Sequence, residues 1–536
     1  MFRTHLDVLE SSSLSYPSEP VFRIPVLRSS PSDSFQWDTV SYRRFHDDVL
    51  LFSRYWARKL RRDNIPQRSV IGLWIAGTTY QDVLHIYGLS RAGYIPQLFS
   101  IKLPNPEVIF ELLNKSHARA LICDDNFYGI AGQSPVPLHV AVGLSGIDGH
   151  GGNEALPLPE LPSVRADDIA FYFHTSGSTS GSPKLVPCSY TWLNSVVEKS
   201  QQACTPYHSD RRDVVTWMGS MCHIGQTFML IGSLQHGACV VQPTSMPFST
   251  QELMDMISNA GVNRLWAFAA FLSLHFKSSR LDPKLESMLT ALDEILTSGM
   301  PLPREDVEYA GRAGFALRNV FGSTEAGATL LSSRGHGQSS GALSPLDGVS
   351  YLFKPIHQTP TPGAHQSTAQ MLEFIILAES PDCPDASLRA DDGHFHTGDL
   401  FMEIEGGKYV FCGRDDDWIK SQNSLRCDTK AIEDNARAMC GSIIADCIVV
   451  GTGRPSPTIF VEPSVDMAEA KLKKDILRKT RLFHSRRYLH ERIVSDKFIV
   501  VVPRGSLPRT ATKGNIRRAA VEEMWRDTLD RIYCGA

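Results

Sequence analysis

A stretch rich in Ser, Thr and Gly follows the apolar run 169–173 and ends at Lys184. The apolar run is typical of a buried strand, and glycine lets the backbone after it turn and approach a ligand closely. Backbone N–H groups and hydroxyls in such a loop can bind phosphate oxygens, while the lysine ammonium can neutralise phosphate charge. An ordinary polar surface loop is the alternative interpretation, because Ser/Gly tracts are common in linkers. The candidate phosphate-binding residues are Thr175, Ser176, Gly177, Ser178, Thr179, Gly181 and Lys184.

Four more polar segments follow in the chain, and each contains side chains that suit a nucleotide or a metal. Hard cations such as Mg²⁺ prefer carboxylate oxygen, so Glu325 is a natural metal ligand. The alternatives are local: an ordinary turn with a solvated glutamate at 321–325, and a turn-forming Thr-Gly-Asp at 397–399. In one-letter code the segments are FGSTE at 321–325, HTGD at 396–399, GRDDDWIK at 413–420 and PRTATKGNIR at 508–517.

Together with the Ser/Gly loop, this ordered set resembles the adenylate-forming superfamily. Its members include acyl-CoA and aryl-CoA ligases, luciferases, and the adenylation domains of peptide synthetases and carboxylic acid reductases. The resemblance spans nearly the whole chain, and the residues around 413–433 look closest to fungal single-module adenylation proteins. It implies an α/β fold. The expected parts are a large domain of parallel-rich sheets flanked by helices over 1–414, and a small mobile α+β domain over 415–536.

The resemblance implies that the chain uses ATP and Mg²⁺ to convert a carboxylic acid to an acyl-adenylate, with release of pyrophosphate. The Ser/Gly loop would then hold the β- and γ-phosphates. Matching the family's motifs residue by residue assigns the remaining nucleotide contacts as follows: Phe321 stacks on adenine beside Gly322 and Ser323, Gly299 lies in the adenine-side turn, Thr324 contacts the α-phosphate, Glu325 binds Mg²⁺, and Asp399 and Arg414 bind the ribose.

The resemblance also implies a catalytic lysine, Lys513, and a hinge at Asp416 about which the small domain turns. A solvated basic helix start is the alternative for Lys513, because three arginines lie nearby. The chain departs from the family pattern at three places: an extra residue at Ser180, the pair at 423–424 where relatives often have glycine, and the Lys-Gly order at 513–514.

His223 occupies the place where ligases of this superfamily often put a histidine beside the acyl pocket, although a packed or surface histidine is the alternative. Amino-acid-activating relatives tend to have an aspartate near there, and the stretch 217–226 has no acidic residue. The implied substrate is therefore an aryl, keto or alkyl acid rather than an α-amino acid. No carrier motif follows Arg517, so the expected acceptor is a thiol from elsewhere. CoA is slightly favoured over the phosphopantetheine of a carrier protein in trans.

Two other function classes stay open from the sequence. One is an oxidoreductase role, either as the activation module of a reductase or as a luciferase-like oxygenase. No Gly-x-Gly-x-x-Gly unit for a nicotinamide cofactor follows the last motif. The other is a non-catalytic adenylate-binding protein, which only the three departures favour.

The elements that must position these residues are predicted by hydrophobic periodicity. Apolar residues recur at helical spacing over 42–60 and 80–92, and short apolar runs indicate strands at 70–76, 94–99, 214–217, 238–242, 263–268 and 294–298. Alternating strands and helices predict parallel sheets with helices on their faces. Further strands are expected at 443–451, 458–461 and 498–502, and surface loops at 129–162 and 332–345.

Composition is typical of a soluble enzyme. Of 536 residues, 42% are hydrophobic and 21% charged, and the formal net charge of −4 does not favour a nucleic-acid or membrane binder. Eleven cysteines without CxxC pairs suggest reduced thiols. No apolar run is long enough to span a membrane and no signal pattern begins the chain, so a cytoplasmic location is expected.

Overall fold

The computed structural model describes residues 2–26, 34–103, 105–129, 133–148, 157–175, 184–334, 341–356, 371–404, 406–415, 418–420, 426–485, 487, 491–509 and 515–534. Its strands, in chain order, are β1 Pro20–Pro25, β2 Trp37–Ser41, β3 Val70–Ile75, β4 Ile95–Ser100, β5 Ala120–Cys123, β6 Leu138–Val140, β7 Ile169–Thr175, β8 Lys184–Ser189, β9 Val214–Thr216, β10 Cys239–Val241, β11 Arg264–Phe268, β12 Glu294–Ser298, β13 Leu317–Ser323, β14 Gly327–Ser332, β15 Leu343–Pro345, β16 Tyr351–Pro355, β17 Met371–Ile376, β18 Phe395–Ile404, β19 Lys408–Arg414, β20 Trp418–Lys420, β21 Arg426–Asp428, β22 Ile444–Val450, β23 Thr458–Pro463 and β24 Ile499–Val501.

The helices alternate with the strands through the first 313 residues and return after residue 428. They are α1 His5–Ser15, α2 Tyr42–Arg62, α3 Tyr80–Arg91, α4 Pro106–Lys115, α5 Asp125–Tyr128, α6 Leu144–Asp148, α7 Tyr190–Ala203, α8 Ile224–Gln235, α9 Thr250–Ser258, α10 Ala269–Ser279, α11 Pro283–Thr290, α12 Arg304–Ala313, α13 Thr429–Cys440, α14 Glu469–Ser485, α15 Arg518–Met524 and α16 Arg526–Cys534.

Helix α2 shows how local sequence determines these elements. Its buried residues recur every three or four positions from Tyr42 to Leu60, which forms one apolar face. The side chain of Ser41 accepts a hydrogen bond from the backbone N–H of Arg44 and so caps the first turn. Helix α3 begins in the same way, because Thr79 and Asp82 form a reciprocal capping box. The predicted helices at 42–60 and 80–92 are thus confirmed.

Two large sheets contain most of the strands that the structure describes. The first has the order β16-β17-β18-β19-β15-β14-β13-β12-β11-β9-β10-β1-β2, and the second the order β6-β5-β3-β4-β7-β8. Strands β13, β12, β11, β9, β10 and β1 are mutually parallel, and so are β6, β5, β3, β4 and β7. The predicted mixed α/β class with parallel sheets is confirmed.

The sequence pattern missed part of the first sheet. From β14 to β19 neighbouring strands pair antiparallel, and only three residues separate β13 from β14 and β18 from β19. Strand β15 lies inside the predicted surface loop 332–345, and β6 and α6 lie inside the predicted loop 129–162. Their polar and glycine-rich surroundings conceal elements of only three to five residues.

After residue 418 the described chain forms separate hydrophobic clusters. The sheet β22-β23-β24 packs between helices, and one cluster includes Ile432 of α13, Val449 and Val461 of the sheet, and Ile476 of α14. A second cluster on the other face includes Val521. The strands predicted at 443–451, 458–461 and 498–502 correspond to β22, β23 and β24.

A buried charge cluster lies at the start of β11 and β12. Glu294 is fully buried and accepts hydrogen bonds from Arg264 at 2.6 Å, Arg318 at 3.1 Å, and the side chains of Tyr207 and Trp266 at 3.0 Å each. Burial alone would raise the pKa of Glu294, but the two guanidinium groups outweigh it and hold that pKa below its ordinary value. The carboxylate therefore stays charged and joins three strands.

Replacing Glu294 with alanine is expected to lower the free energy of unfolding by about 3–5 kcal/mol, because Arg318 loses its buried counter-charge and Arg264 loses one of two, keeping Asp213. Urea unfolding followed by tryptophan fluorescence measures the loss. The control is Glu308→Ala, which removes an exposed ion pair with Arg304 and should cost less than about 1 kcal/mol. Equal losses in the two variants would contradict the structural role of Glu294.

Candidate active site

The two ends of the Ser/Gly loop are fixed opposite each other. Thr175 ends β7, Lys184 begins β8, and the two residues are paired in an antiparallel ladder. Residues 176–183 lie outside the described residues, and with them the predicted contacts of Ser176, Gly177, Ser178, Thr179 and Gly181. The structure therefore gives the anchors of this loop and leaves its phosphate contacts as predictions.

The FGSTE segment forms a tight hairpin turn between β13 and β14. Gly322 is required there, since a Cβ on it would lie 2.3 Å from the carbonyl oxygen of Gly327. The Ser323 hydroxyl accepts a hydrogen bond from the N–H of Ala326 at 3.3 Å and closes the turn. The turn places Thr324 and Glu325, both half-buried, at the carboxyl end of β13, the end of parallel strands at which ligands commonly bind in open α/β sheets.

Phe321 lies in an aromatic cluster at the base of this turn. Its ring is 5.2 Å from the centroids of both Phe401 and Phe411, and it is partly buried against them. These contacts fix the orientation of the ring on the β18–β19 side of the sheet. Stacking of this ring on adenine stays a prediction.

The functional groups of Thr324 and Glu325 are uncommitted. Among the residues that the structure describes, none hydrogen-bonds to the Thr324 hydroxyl or the Glu325 carboxylate. Nor does any group of three His, Cys, Asp or Glu side chains form a metal cage within those residues. One free carboxylate beside a hydroxyl fits Mg²⁺ held together with nucleotide phosphates and water, which is how proteins commonly bind that ion.

The backbone of the turn is held by α7, the helix that follows the Ser/Gly loop and β8. The indole Nε1 of Trp192 donates a 2.8 Å hydrogen bond to the carbonyl oxygen of Glu325. The same indole lies 6.3 Å from the ring of Phe173 in β7. Trp192 thus connects the strand before the loop to the Thr324–Glu325 turn. Sequence analysis did not identify it, although its place in the first turn of an amphipathic helix predicts burial.

Asp399 and Arg414 face each other on neighbouring strands. They are direct partners in the β18–β19 ladder, and their side chains approach to 3.4 Å. The Asp399 carboxylate is mostly buried, whereas the Arg414 guanidinium is half exposed. The structure brings these two predicted ribose-binding residues together on the strand pair whose Phe401 and Phe411 contact Phe321.

An aromatic residue that the sequence analysis missed fills the space next to Gly299. The ring of Phe268, at the end of β11, would lie 3.1 Å from a Cβ on Gly299 and 2.5 Å from a Cβ on Gly219. Gly225, in the first turn of α8, is also within contact distance. Three backbone segments therefore surround one partly buried ring. A phenylalanine at the end of a predicted strand gives no local signal of this role, because its neighbours come from separate segments.

His223 lies two residues before Gly225, which is within contact distance of this ring. It precedes Ile224 as the N-cap residue of α8 and is exposed. The loop before it is held by Gln226, whose side-chain oxygen accepts hydrogen bonds from the N–H groups of Met218 at 2.7 Å and Gly219 at 3.2 Å. Phe268 and Gly299 thus lie side by side at the carboxyl ends of β11 and β12, and His223 precedes the first turn of α8, which contacts the same ring.

Lys513 and Asp416 lie outside the described residues, so the structure does not place either of them. The described residues on either side of Lys513 pair with each other, because Arg509 and Ile516 form an antiparallel bridge. Arg509 in turn forms ion pairs of 2.8 Å with Asp446 and Glu462. The ends of the segment that carries the lysine are therefore attached to β22 and β23.

None of the helices in the described ranges combines the length and the apolar character that a membrane span requires.

Comparison with protein families gives two matches: the AMP-binding enzyme family over residues 19–349, and the AMP-binding enzyme C-terminal domain over residues 416–536.

Two fungal proteins are similar in sequence. The AMP-binding domain-containing enzyme iboA of Amanita muscaria is 33% identical over 515 residues, which cover 94% of this chain and 98% of iboA. The adenylate-forming reductase stbB of Stachybotrys bisbyi is 24% identical over 84% of this chain, and the match spans only 41% of that longer protein.

Two solved structures share the fold. O-succinylbenzoate coenzyme A synthetase from Bacillus subtilis, in complex with AMP, superposes with a TM-score of 0.72 at 16% identity, covering 97% of this chain and 98% of that one. ATP-bound MatB from Rhodopseudomonas palustris gives 0.72 at 18% identity, over 99% and 100%. With the family match over more than half of its length, this chain belongs to the AMP-binding enzyme family and is an adenylate-forming enzyme.

Proposed function

We propose that this enzyme activates an aryl, keto or alkyl carboxylic acid with ATP and transfers the resulting acyl group to the thiol of CoA. The observation that carries the proposal is the Thr324–Glu325 turn, which presents an uncommitted hydroxyl and carboxylate and is tied by Trp192 to the strand that leads into the Ser/Gly loop. This connection between the turn and the strand before the loop supports a phosphate site and a metal site next to each other.

The first half-reaction joins two anions, because a carboxylate attacks the α-phosphorus of ATP and pyrophosphate leaves. In our proposal the Ser/Gly loop and Lys184 hold the β- and γ-phosphates, and Thr324 orients the α-phosphate. Glu325 would hold Mg²⁺, which lowers the charge repulsion between the reactants when it is bound. Lys513 would place its ammonium between the attacking carboxylate and the phosphate oxygens.

The nucleoside is proposed to lie between Gly299 and the β18–β19 pair. Gly299 has φ +88°, a conformation that side chains rarely adopt, so the chain can turn sharply where adenine would approach. Asp399 has the charge to accept hydrogen bonds from both ribose hydroxyls, and Arg414, 3.4 Å away, keeps that carboxylate oriented.

The second half-reaction needs a different set of groups, since the thiol must reach the acyl carbon next to which Lys513 is proposed to lie in the first half-reaction. We propose that residues 1–414 and 415–536 form two domains and that Asp416 is the hinge between their two orientations. The separate hydrophobic clusters after residue 418 support such a division.

The acid is proposed to bind in the region that His223, Phe268 and Gly299 line. No acidic side chain occurs in 217–226 to meet a substrate ammonium, which supports an acid without an α-amino group. The Phe268 ring occupies part of this region, so short or flat acids fit best.

Replacing Phe268 with alanine is expected to shift the preferred acid towards larger ones. Removal of the ring opens space next to Gly219 and Gly299, so kcat/KM for a bulky aryl acid should rise relative to a small acid by about tenfold or more. The measurement is ATP–pyrophosphate exchange with a matched series of acids. Phe271→Ala, which removes the neighbouring ring of α10, is the control and should leave the ratio unchanged. An unchanged ratio in Phe268→Ala would place the acid elsewhere.

The function itself is tested by screening carboxylic acids for ATP-dependent pyrophosphate exchange. The accepted acid is then incubated with enzyme, ATP, Mg²⁺ and CoA, and the product is identified by mass. Acyl-CoA formation is the expected result. Absence of exchange with every acid class would overturn the adenylation proposal.

A second candidate is an adenylation unit that loads a carrier protein, or serves a reductase, in trans. The similarity to the adenylate-forming reductase stbB over 84% of this chain favours it. In the same assay, acyl-adenylate without acyl-CoA, followed by loading of a phosphopantetheinylated carrier, would support this candidate against CoA.

A further inference from the structure

Helix α7 carries a buried lysine that none of the roles above uses. The Lys199 side chain is 1% exposed and lies on the apolar face of the helix. Its ammonium donates to Asp382 at 2.6 Å and to the carbonyl oxygen of Ala326 at 2.8 Å. Burial lowers the pKa of Lys199, and the adjacent carboxylate of Asp382 partly opposes this.

Other side chains hold Asp382 in position next to this lysine. It is fully buried, and its carboxylate also accepts hydrogen bonds from the Ser380 hydroxyl at 2.6 Å and from the Tyr351 hydroxyl. The lysine and the aspartate are 183 residues apart in the chain. Desolvating two charges is costly, and an apolar pair of similar volume is often as stable or more stable. The ion pair therefore calls for a reason other than stability.

The second partner of Lys199 supplies that reason. Ala326 follows Glu325 directly, and the carbonyl oxygen of Glu325 accepts the hydrogen bond from Trp192. On the same face of α7, Val196 lies between Trp192 and Lys199. Its side chain is 3.5 Å from the position of a Cβ on Gly327. One stripe of α7, at positions 192, 196 and 199, thus contacts the three consecutive residues 325, 326 and 327.

We propose that Lys199 is a positioning residue for the active-site turn: together with Trp192 it fixes two consecutive carbonyl groups, and so determines where the Glu325 carboxylate points. Asp382 keeps the ammonium charged and oriented for this contact. The assignment of Glu325 as the metal ligand rests on the proposed function. The two hydrogen bonds from Trp192 and Lys199 to the turn, here called the clamp, rest only on the contacts of α7 with the turn.

Two variants separate the clamp from general stability. Lys199→Met keeps a long side chain but removes the donor to Ala326. Because a lone buried Asp382 could prevent folding, Lys199→Met/Asp382→Asn removes both charges, and the asparagine can accept from one of the Ser380 and Tyr351 hydroxyls with its oxygen and donate to the other with its amide group. Tyr351→Phe is the matched control, since it weakens the same Asp382 site without touching the lysine's bond to Ala326.

The first readout is hydrogen–deuterium exchange of the segment 321–330 in the full-length protein without ligand. Exchange in this segment should be at least about tenfold faster in the two Lys199 variants and nearly unchanged in Tyr351→Phe. This measurement does not depend on catalysis. If the segment exchanges at the wild-type rate in the neutral double variant, the positioning role is overturned even if the enzyme proves to be an active ligase.

The second readout is the Mg²⁺ concentration that gives half-maximal pyrophosphate exchange. Lys199→Met should raise it by about tenfold, whereas in a Glu325→Gln background the same change should matter by less than about twofold, because the group being positioned is already gone. Equal effects in both backgrounds would contradict the proposal. If wild type shows no exchange with any acid, the proposed function fails, and the hydrogen-exchange result alone decides whether the clamp exists.

Discussion

Replacing Lys513 with alanine is expected to slow acyl-adenylate formation by on the order of 10³-fold, while thioester formation from supplied acyl-adenylate stays largely intact. The reason is electrostatic. A carboxylate must approach an anionic triphosphate, and a single ammonium between them is worth more in a water-excluded site than in solution. Once the adenylate exists, that repulsion is gone and the lysine has no further task.

The two half-reactions are measured separately. Pyrophosphate exchange reports adenylation, and consumption of synthetic acyl-adenylate in the presence of CoA reports transfer. Lys471→Ala, an exposed lysine of α14, is the control for a simple loss of charge and should leave both rates unchanged. Equal loss of both half-reactions in Lys513→Ala would remove this assignment.

Asp416→Pro is the complementary change at the proposed hinge. Proline fixes φ near −65° and so restricts the backbone rotation that a second orientation requires. Transfer should fall while adenylation is retained, which is the reverse of the Lys513→Ala pattern. Coincident loss of both activities would instead indicate damage to the fold.

Replacing Glu325 with glutamine should lower the Mg²⁺-dependent rate of adenylation by about a hundredfold or more and leave the fold intact. The substitution preserves shape and removes one charge from a side chain to which no described residue donates a hydrogen bond. Nothing inside the described protein therefore loses a partner, and the unfolding midpoint should not move.

The activity of Glu325→Gln is compared over a range of Mg²⁺ concentrations, with EDTA-treated enzyme as the baseline. Glu198→Gln, on the exposed side of α7, is the matched control and should behave as wild type. Wild-type exchange that is indifferent to EDTA would contradict a metal-dependent mechanism and with it the role of Glu325.

The sequence alone determined the elements that depend on near neighbours. The apolar spacing from Tyr42 to Leu60 is that of a helix, and the segment from Glu294 to Ser298 was expected to be a strand; the structure has both. Periodicity and capping act over a few residues, so they are visible in one chain. The order of the motifs likewise indicated the family, because each motif is a short run of consecutive residues.

Only the tertiary structure decided which residues surround those short motifs. The requirement for glycine at 322 comes from the approach of Gly327 across a hairpin, and the close packing around Phe268 comes from three backbone segments. The Lys199–Asp382 pair joins residues 183 positions apart, and no local pattern encodes such a contact. The only sign of this pair in the sequence is a lysine on the apolar face of a helix. The identity of its partner depends on how the antiparallel strands β16 and β17 bring Asp382 next to α7. Chain topology determines that arrangement, and residue spacing does not.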